Sequence, residues 1–176
     1  MTDAEILDRI GAALPGLDCQ AGCVECCTVA LWSLEEWRRL PQEHKGKGYG
    51  LLKVPMRVNG GRTVTAFLPV LAQNMMALAT RKKMAVTIAA EAGIVLAGFG
   101  LENISCVYRR EGEGCAVYEH RPFTCRIMGA SAVPGPMKCP RGIECAAPLP
   151  ETIIMQRFLL WTNLFENDPR YMEKKP

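Results

Sequence analysis

The chain has 176 residues, 49% of them hydrophobic and 22% charged, with a formal net charge of +3. A globular chain of this length buries roughly 68–70% of its unfolded surface, so it builds a core without the disulfide staples that small secreted domains need. The basic residues cluster only at Arg81-Lys82-Lys83 and Lys174-Lys175, too thinly to argue for a nucleic-acid partner.

Met1 to Leu14 carries Asp3, Glu5 and Asp8 and lacks the basic start and unbroken apolar run of an export signal. Its apolar residues Ile6, Leu7, Ile10 and Leu14 recur at helical spacing, which predicts an amphipathic helix. The expected setting is cytoplasmic, where clustered cysteines stay reduced and hold metal or do redox chemistry. Pro15-Gly16 marks a turn before a cysteine group at Cys19 to Cys27. Ser33 and Glu36 form a capping box that opens a short helix through Leu40. Pro41 to Gly50 is a polar, glycine-rich connector; its KGKGYG follows no strand and opens no helix, so it is no nucleotide fingerprint.

Two β-prone runs between Val54 and Phe67 flank Asn59-Gly60-Gly61 and predict a hairpin. From about Pro69 to Phe99 the pattern is helical, with Met75, Met76 and Met84 as core filler and Gly93 and Gly98 dividing it into more than one helix. Within it Met84 to Phe99 is the longest apolar stretch, but it contains Glu91 and falls short of the roughly 20 residues that span a bilayer. It reads as a buried helix or helix pair, and no membrane span is expected. Glu151 to Phe165 predicts a last amphipathic helix. The expected fold is mainly α with one small β-hairpin and irregular cysteine-rich metal-binding loops packed on helices. A single domain, 1–176, is expected, with 69–99 as a helical insertion.

Nine cysteines carry the chemistry. The first group, Cys19-x3-Cys23-x2-Cys26-Cys27, has thiolates two to four residues apart, a spacing that lets a short loop aim two sulfurs at one metal. On a helix these positions would instead line one stripe, while the adjacent Cys26 and Cys27 diverge and suit different sites or a supporting role. The second group is Cys106, Cys115, Cys125, Cys139 and Cys145. Its last members lie in Gly129 to Pro150, a stretch with five prolines and little apolar periodicity, which metal bonds through its cysteines would order.

The early CxxxCxxCC, the later Cys115-Ala116-Val117-Tyr118-Glu119-His120-Arg121-Pro122-Phe123-Thr124-Cys125-Arg126 and the Cys139-Pro140 pair together resemble the YkgJ-type cysteine-cluster family. That family is described as a zinc- or iron-chelating domain, and its members are often labelled iron–sulfur oxidoreductases. The resemblance spans Cys19 to Cys139, excepting 41–103. It implies Cys19, Cys23, Cys26, Cys27, Cys106, Cys115, Cys125 and Cys139 as ligands, which leaves Cys145 as the spare. It implies no particular reaction. Arg121 and Arg126 flank Cys125, where guanidinium groups would offset the charge of gathered thiolates; the alternative is a pair of surface arginines holding the turn at Pro122. His120 reads as a solvent-facing or core-satisfied side chain rather than a ligand, and His44 has no role.

Soft thiolates select both zinc and iron–sulfur clusters. The proline after Cys139 echoes ferredoxin runs and tilts the expectation toward an iron–sulfur cluster with an electron-transfer or redox accessory role and a redox or protein partner. The alternative is a structural zinc-binding interaction module. A radical S-adenosylmethionine enzyme shares the Cys19-x3-Cys23-x2-Cys26 spacing but needs cysteines after a first strand in a partial α/β barrel, where this chain has a helical pattern. A methyltransferase connection ranks lower still, because no cofactor-binding fingerprint accompanies the cysteines. No nucleophile–base pair or carboxylate dyad argues for hydrolysis or group transfer.

Overall fold

The computed structural model describes residues 1–12, 14–15, 23, 27, 30–46, 48–58, 62–74, 76, 85–89, 95–99, 105–128, 130, 139, 141–143, 145 and 147–165. Helix α1 spans Asp3–Gly11, with Thr2 and Glu5 closing a capping box at its start. Its Ile10 is buried, and Ile6, Leu7 and Leu14 pack beside it on the core. Helix α2, Leu34–Arg39, begins at the Ser33–Glu36 capping box, so the local pairing of a hydroxyl with a carboxylate three residues on starts this helix.

Strands β1, Tyr49–Arg57, and β2, Thr63–Leu71, form an antiparallel hairpin in register Arg57↔Thr63 through Tyr49↔Leu71. The hairpin extends beyond the expected Val54–Phe67 at both ends. Leu52, Val54 and Met56 face Leu68, Ala66 and Val64 across it and are buried, the period-two pattern of a strand with one face on a core. That face receives Ile10 of α1, Phe123 and Ile127, and Ile154, Phe158 and Trp161 of a C-terminal helix.

The mainly α expectation does not hold. Beyond the hairpin, β3 at Ala85–Ala89 and β4 at Val95–Phe99 pair antiparallel, Ala85↔Phe99 through Ala89↔Val95, and β3 joins β1 in parallel at Met56↔Val86. The result is one four-stranded sheet of order β2-β1-β3-β4. Within 69–99 the described residues form the end of β2, a 3-10 turn at Ala72–Asn74, a helical position at Met76 and these two strands, where a helical insertion was expected; Met75, Met84 and Gly93 lie outside the described residues. The physical reason is that a short apolar run has no usable periodicity of its own. AVTIA and VLAGF suit a buried helix or a strand, and a free sheet edge on β1 decides for the strand.

A second, two-residue pairing joins β5, Arg109–Arg110, to β6, Gly114–Cys115. Helix α3, Phe123–Arg126, follows a 3-10 turn at Tyr118–His120, and helix α4 spans Glu151–Thr162. Helix α4 packs on α1, where Arg157 donates to the Arg9 carbonyl. Among the described residues no helix is long and apolar enough to cross a membrane.

Candidate metal centre

Three members of the second cysteine group, Cys106, Cys115 and Cys125, reach one small core through turns rather than on one regular element. Cys106 opens a turn closed by the Arg109 amide on its carbonyl at 3.1 Å. The chain then reverses through Gly112 and Gly114, whose φ values of 77° and 93° favour glycine. The reversal sets Cys115 opposite Arg109, and the Ala116 amide donates to the Tyr108 carbonyl at 2.9 Å. Ten residues on, Cys125 sits in α3, after Pro122 has fixed the extended backbone before the helix.

Two long-range contacts hold α3. Glu36 accepts the Phe123 amide at 2.7 Å, and the buried Thr124 hydroxyl donates to the Leu31 carbonyl at 3.0 Å. The segment around Leu31 is tied in turn to β2, because Trp32 and Phe67 exchange backbone hydrogen bonds at 2.8 and 3.0 Å. These ties build a second core on the hairpin edge. Ala30, Trp32, Leu40, Tyr108 and Val117 are buried in it, and Cys106, Cys115 and Cys125 all pack against it. Tyr108 lies 5.9 Å from Trp32 and 5.5 Å from Tyr49, ring centre to ring centre, and its hydroxyl donates to the His44 carbonyl. Burial pushes the Tyr108 phenol far up from its ordinary value, and neighbouring Tyr49 and the charges of Cys106 and Cys115 push the same way.

Of the first group, Cys27 accepts the Cys106 amide on its carbonyl at 3.5 Å, which joins the two groups through backbone. Cys23 is half-buried, while Cys19 and Cys26 lie outside the described residues. Cys139 is half-buried, with its carbonyl accepting the Gly142 amide at 2.9 Å, and Cys145 is buried. Among the described residues, no three cysteine, histidine or carboxylate side chains converge closely enough to hold a metal ion. The described cysteines therefore share a neighbourhood and not a finished coordination sphere.

The two arginines have other partners. Arg121 donates from Nε to the Tyr118 carbonyl at 2.9 Å and stacks 3.6 Å over the Tyr118 ring. Arg126 donates to the Gly11 carbonyl at 3.2 Å, an approach that a side chain at Gly11 would crowd. Both line a cleft of about 370 Å³ between α1, α2 and the segment around His120, together with Arg39. Arg39 is bonded to Asp8 there at 2.7 Å, so its charge is already answered. His120 is exposed, its ring 6.3 Å from that of His44.

Sequence reasoning passed over Trp32 and Tyr108, two rings of the buried cluster on which Cys106, Cys115 and Cys125 pack. A tryptophan beside a capping serine and a tyrosine after Cys106-Val107 carry no local signal of that role. Comparison with protein-family models, with curated proteins and with solved structures finds no match to this chain.

Proposed function

We propose that this chain binds metal through its clustered cysteines, as an iron–sulfur protein with an electron-transfer or redox accessory role. One observation carries the reading: Cys106, Cys115 and Cys125, far apart in sequence, pack on one buried aromatic cluster, with Cys27 joined to Cys106 by its backbone. The donor type suits such a group, because soft thiolates take iron–sulfur clusters and zinc alike. Among the described residues the buried Trp32 indole nitrogen, in the cluster on which these cysteines pack, has no hydrogen-bond partner. Cys19, Cys23, Cys26, Cys27, Cys106, Cys115, Cys125 and Cys139 would hold it, matching the YkgJ-type pattern. An iron–sulfur cluster supplies one-electron transfer when bound.

The protein's own part is to shield the group and to hold its ligands. The buried Trp32–Tyr108 cluster excludes water from one side. The radical S-adenosylmethionine reading gains no support, since helix α1 precedes the first cysteines and the sheet is mostly antiparallel.

Metal and sulfide analysis with an absorbance spectrum, on full-length protein purified without oxygen, tests this reading. Iron with acid-labile sulfide and a brown colour is expected. Stoichiometric zinc without colour would make the chain a structural zinc module, and neither metal would overturn the reading.

A further inference from the structure

Arg39 of α2, Arg121 after the 3-10 turn and Arg126 of α3 come from three segments and line one cleft of about 370 Å³ against α1. Arg39 is answered there, because it donates from Nη1 to Asp8 at 2.7 Å and from Nε to Glu35 at 3.4 Å. Among the described residues neither Arg121 nor Arg126 forms an ion pair, and the acceptor of each is a backbone carbonyl.

Both guanidinium groups are held in place. Arg121 is fixed by its Nε on the Tyr118 carbonyl at 2.9 Å and by stacking 3.6 Å over the Tyr118 ring, which leaves its two Nη groups for another acceptor. Arg126 is fixed by Nη2 on the Gly11 carbonyl at 3.2 Å, at the end of α1, which leaves Nε and Nη1. A cation at a helix C-terminus is favourable by itself, but that accounts for Arg126 and not for Arg121 in the same cleft. The carboxylates there do not cancel the two charges. Asp8 is taken by Arg39, and Glu36 already accepts from Ser33, Phe123 and Trp161. Glu119, exposed, is left against two guanidinium groups. The half-buried Leu7 and the buried Ile10, Leu40 and Phe123 also line the cleft, so part of its wall is apolar.

The geometry points to this cleft as a binding site for a small organic anion, a carboxylate or phosphate carried on an apolar body, held by Arg121 and Arg126. The planar guanidinium fork matches either oxyanion in paired hydrogen bonds. Donors already fixed by the protein lose little freedom when a ligand arrives. A few placed charges on a partly apolar wall, in a volume of roughly 300–1,000 Å³, is the usual make-up of a small-molecule site. No cysteine takes part, so the site stands apart from the metal-binding reading.

Calorimetric titration of the full-length chain at low salt, with phenyl phosphate, benzoate and inorganic phosphate as probes, tests the site. At least one of the two organic anions should saturate a single site per chain, and the tighter of them identifies the oxyanion. It should bind about tenfold more tightly than inorganic phosphate, because its ring meets the apolar wall, and added salt should weaken it. No saturable binding of either organic anion overturns the inference, and so does inorganic phosphate binding as tightly as both.

Three variants locate the binding. Arg121→Gln should weaken it about tenfold, the worth of a charge-assisted hydrogen bond. Arg57→Gln removes the same charge from an exposed position of β1 outside the cleft and should change affinity by less than about twofold. Gly11→Ala separates the site from the fold. Gly11 has no positive φ, and the added methyl would meet only the flexible end of Arg126, with Nη1 at 3.0 Å. That variant should keep wild-type stability in urea and bind the anion several-fold more weakly, because the Arg126 guanidinium is pushed aside. Weakening in neither Arg121→Gln nor Gly11→Ala, or an equal loss in Arg57→Gln, overturns the inference.

Discussion

Glu36 accepts the indole N–H of Trp161 on Oε2 at 3.0 Å, across 125 positions of chain. The same carboxylate takes the Phe123 amide on Oε1 and the Ser33 amide and hydroxyl on Oε2, at 2.7, 2.7 and 2.8 Å. One side chain thus caps α2, receives the first amide of α3 and anchors α4. The α3 that carries Cys125 is fixed to the main core through it.

Truncation should expose that role. Glu36→Ala leaves the Phe123 amide and the Trp161 indole without an acceptor, and each orphaned donor costs about 1–3 kcal/mol. A loss of about 3 kcal/mol in urea unfolding is expected, together with weaker metal retention because Cys125 loses its support. A loss below about 1 kcal/mol would show that the donors find other partners.

The same residue gives a pH dependence with a definite sign. Burial raises the Glu36 carboxyl above its ordinary value of 4.5, outweighing the donors from Phe123, Ser33 and Trp161 that lower it. The folded chain then keeps a proton that the unfolded chain has released. The stability this contributes is complete below 4.5 and is lost as pH rises through the higher folded value. Glu36→Gln cannot ionise, so the stability advantage of wild type over this variant should shrink as pH increases. An advantage that grows with pH would mean that the four donors hold the carboxylate ionised.

Tyr108 should resist alkaline titration. Its phenol is buried beside Tyr49, Cys106 and Cys115, all of which push its ionisation up. Of the four tyrosines in the chain, one is expected to ionise only as the fold is lost, by ultraviolet absorbance titration, and Tyr108→Phe should remove that late step. In linkage terms the raised folded value stabilises the protein below the ordinary phenol range, and that contribution disappears as pH climbs through it.

The approach to Cys115 depends on a glycine. Gly114 is buried with a φ of 93°, which an alanine adopts only with strain of about 1–3 kcal/mol. Gly114→Ala should lower stability by that amount and reduce metal bound per chain, because Cys115 shifts with its neighbour. Gly46→Ala is the matched control: its φ is −47° with open space around it, and a change within about 0.5 kcal/mol is expected.

The ninth cysteine separates ligand from packing. Cys145 is buried at 9% exposure, whereas Cys139 is half-buried and precedes Pro140. Cys145→Ser is expected to keep its metal and lose some stability, and Cys139→Ser to lose metal. The reverse outcome by metal content per chain would make Cys145 the ligand.

What the sequence determined by itself was local. The spacing of Ile6, Leu7 and Ile10 specified α1, the Ser33–Glu36 pair specified α2, and the β-prone runs either side of Asn59-Gly60-Gly61 specified a hairpin, because each depends on neighbours a few residues away. It also displayed the cysteines, whose clustering is a matter of composition. Tertiary structure decided the rest. Ala85–Ala89 and Val95–Phe99 became strands because β1 offered an edge, a fact absent from their own composition. Glu36 acquired partners at Phe123 and Trp161 that no capping pattern foretells. Cys106, Cys115 and Cys125 reached one neighbourhood only because Trp32, bridged to Phe67, and Tyr108, turned by Gly112 and Gly114, meet there. Contacts between residues tens of positions apart depend on how the chain closes on itself, and no local pattern encodes that closure.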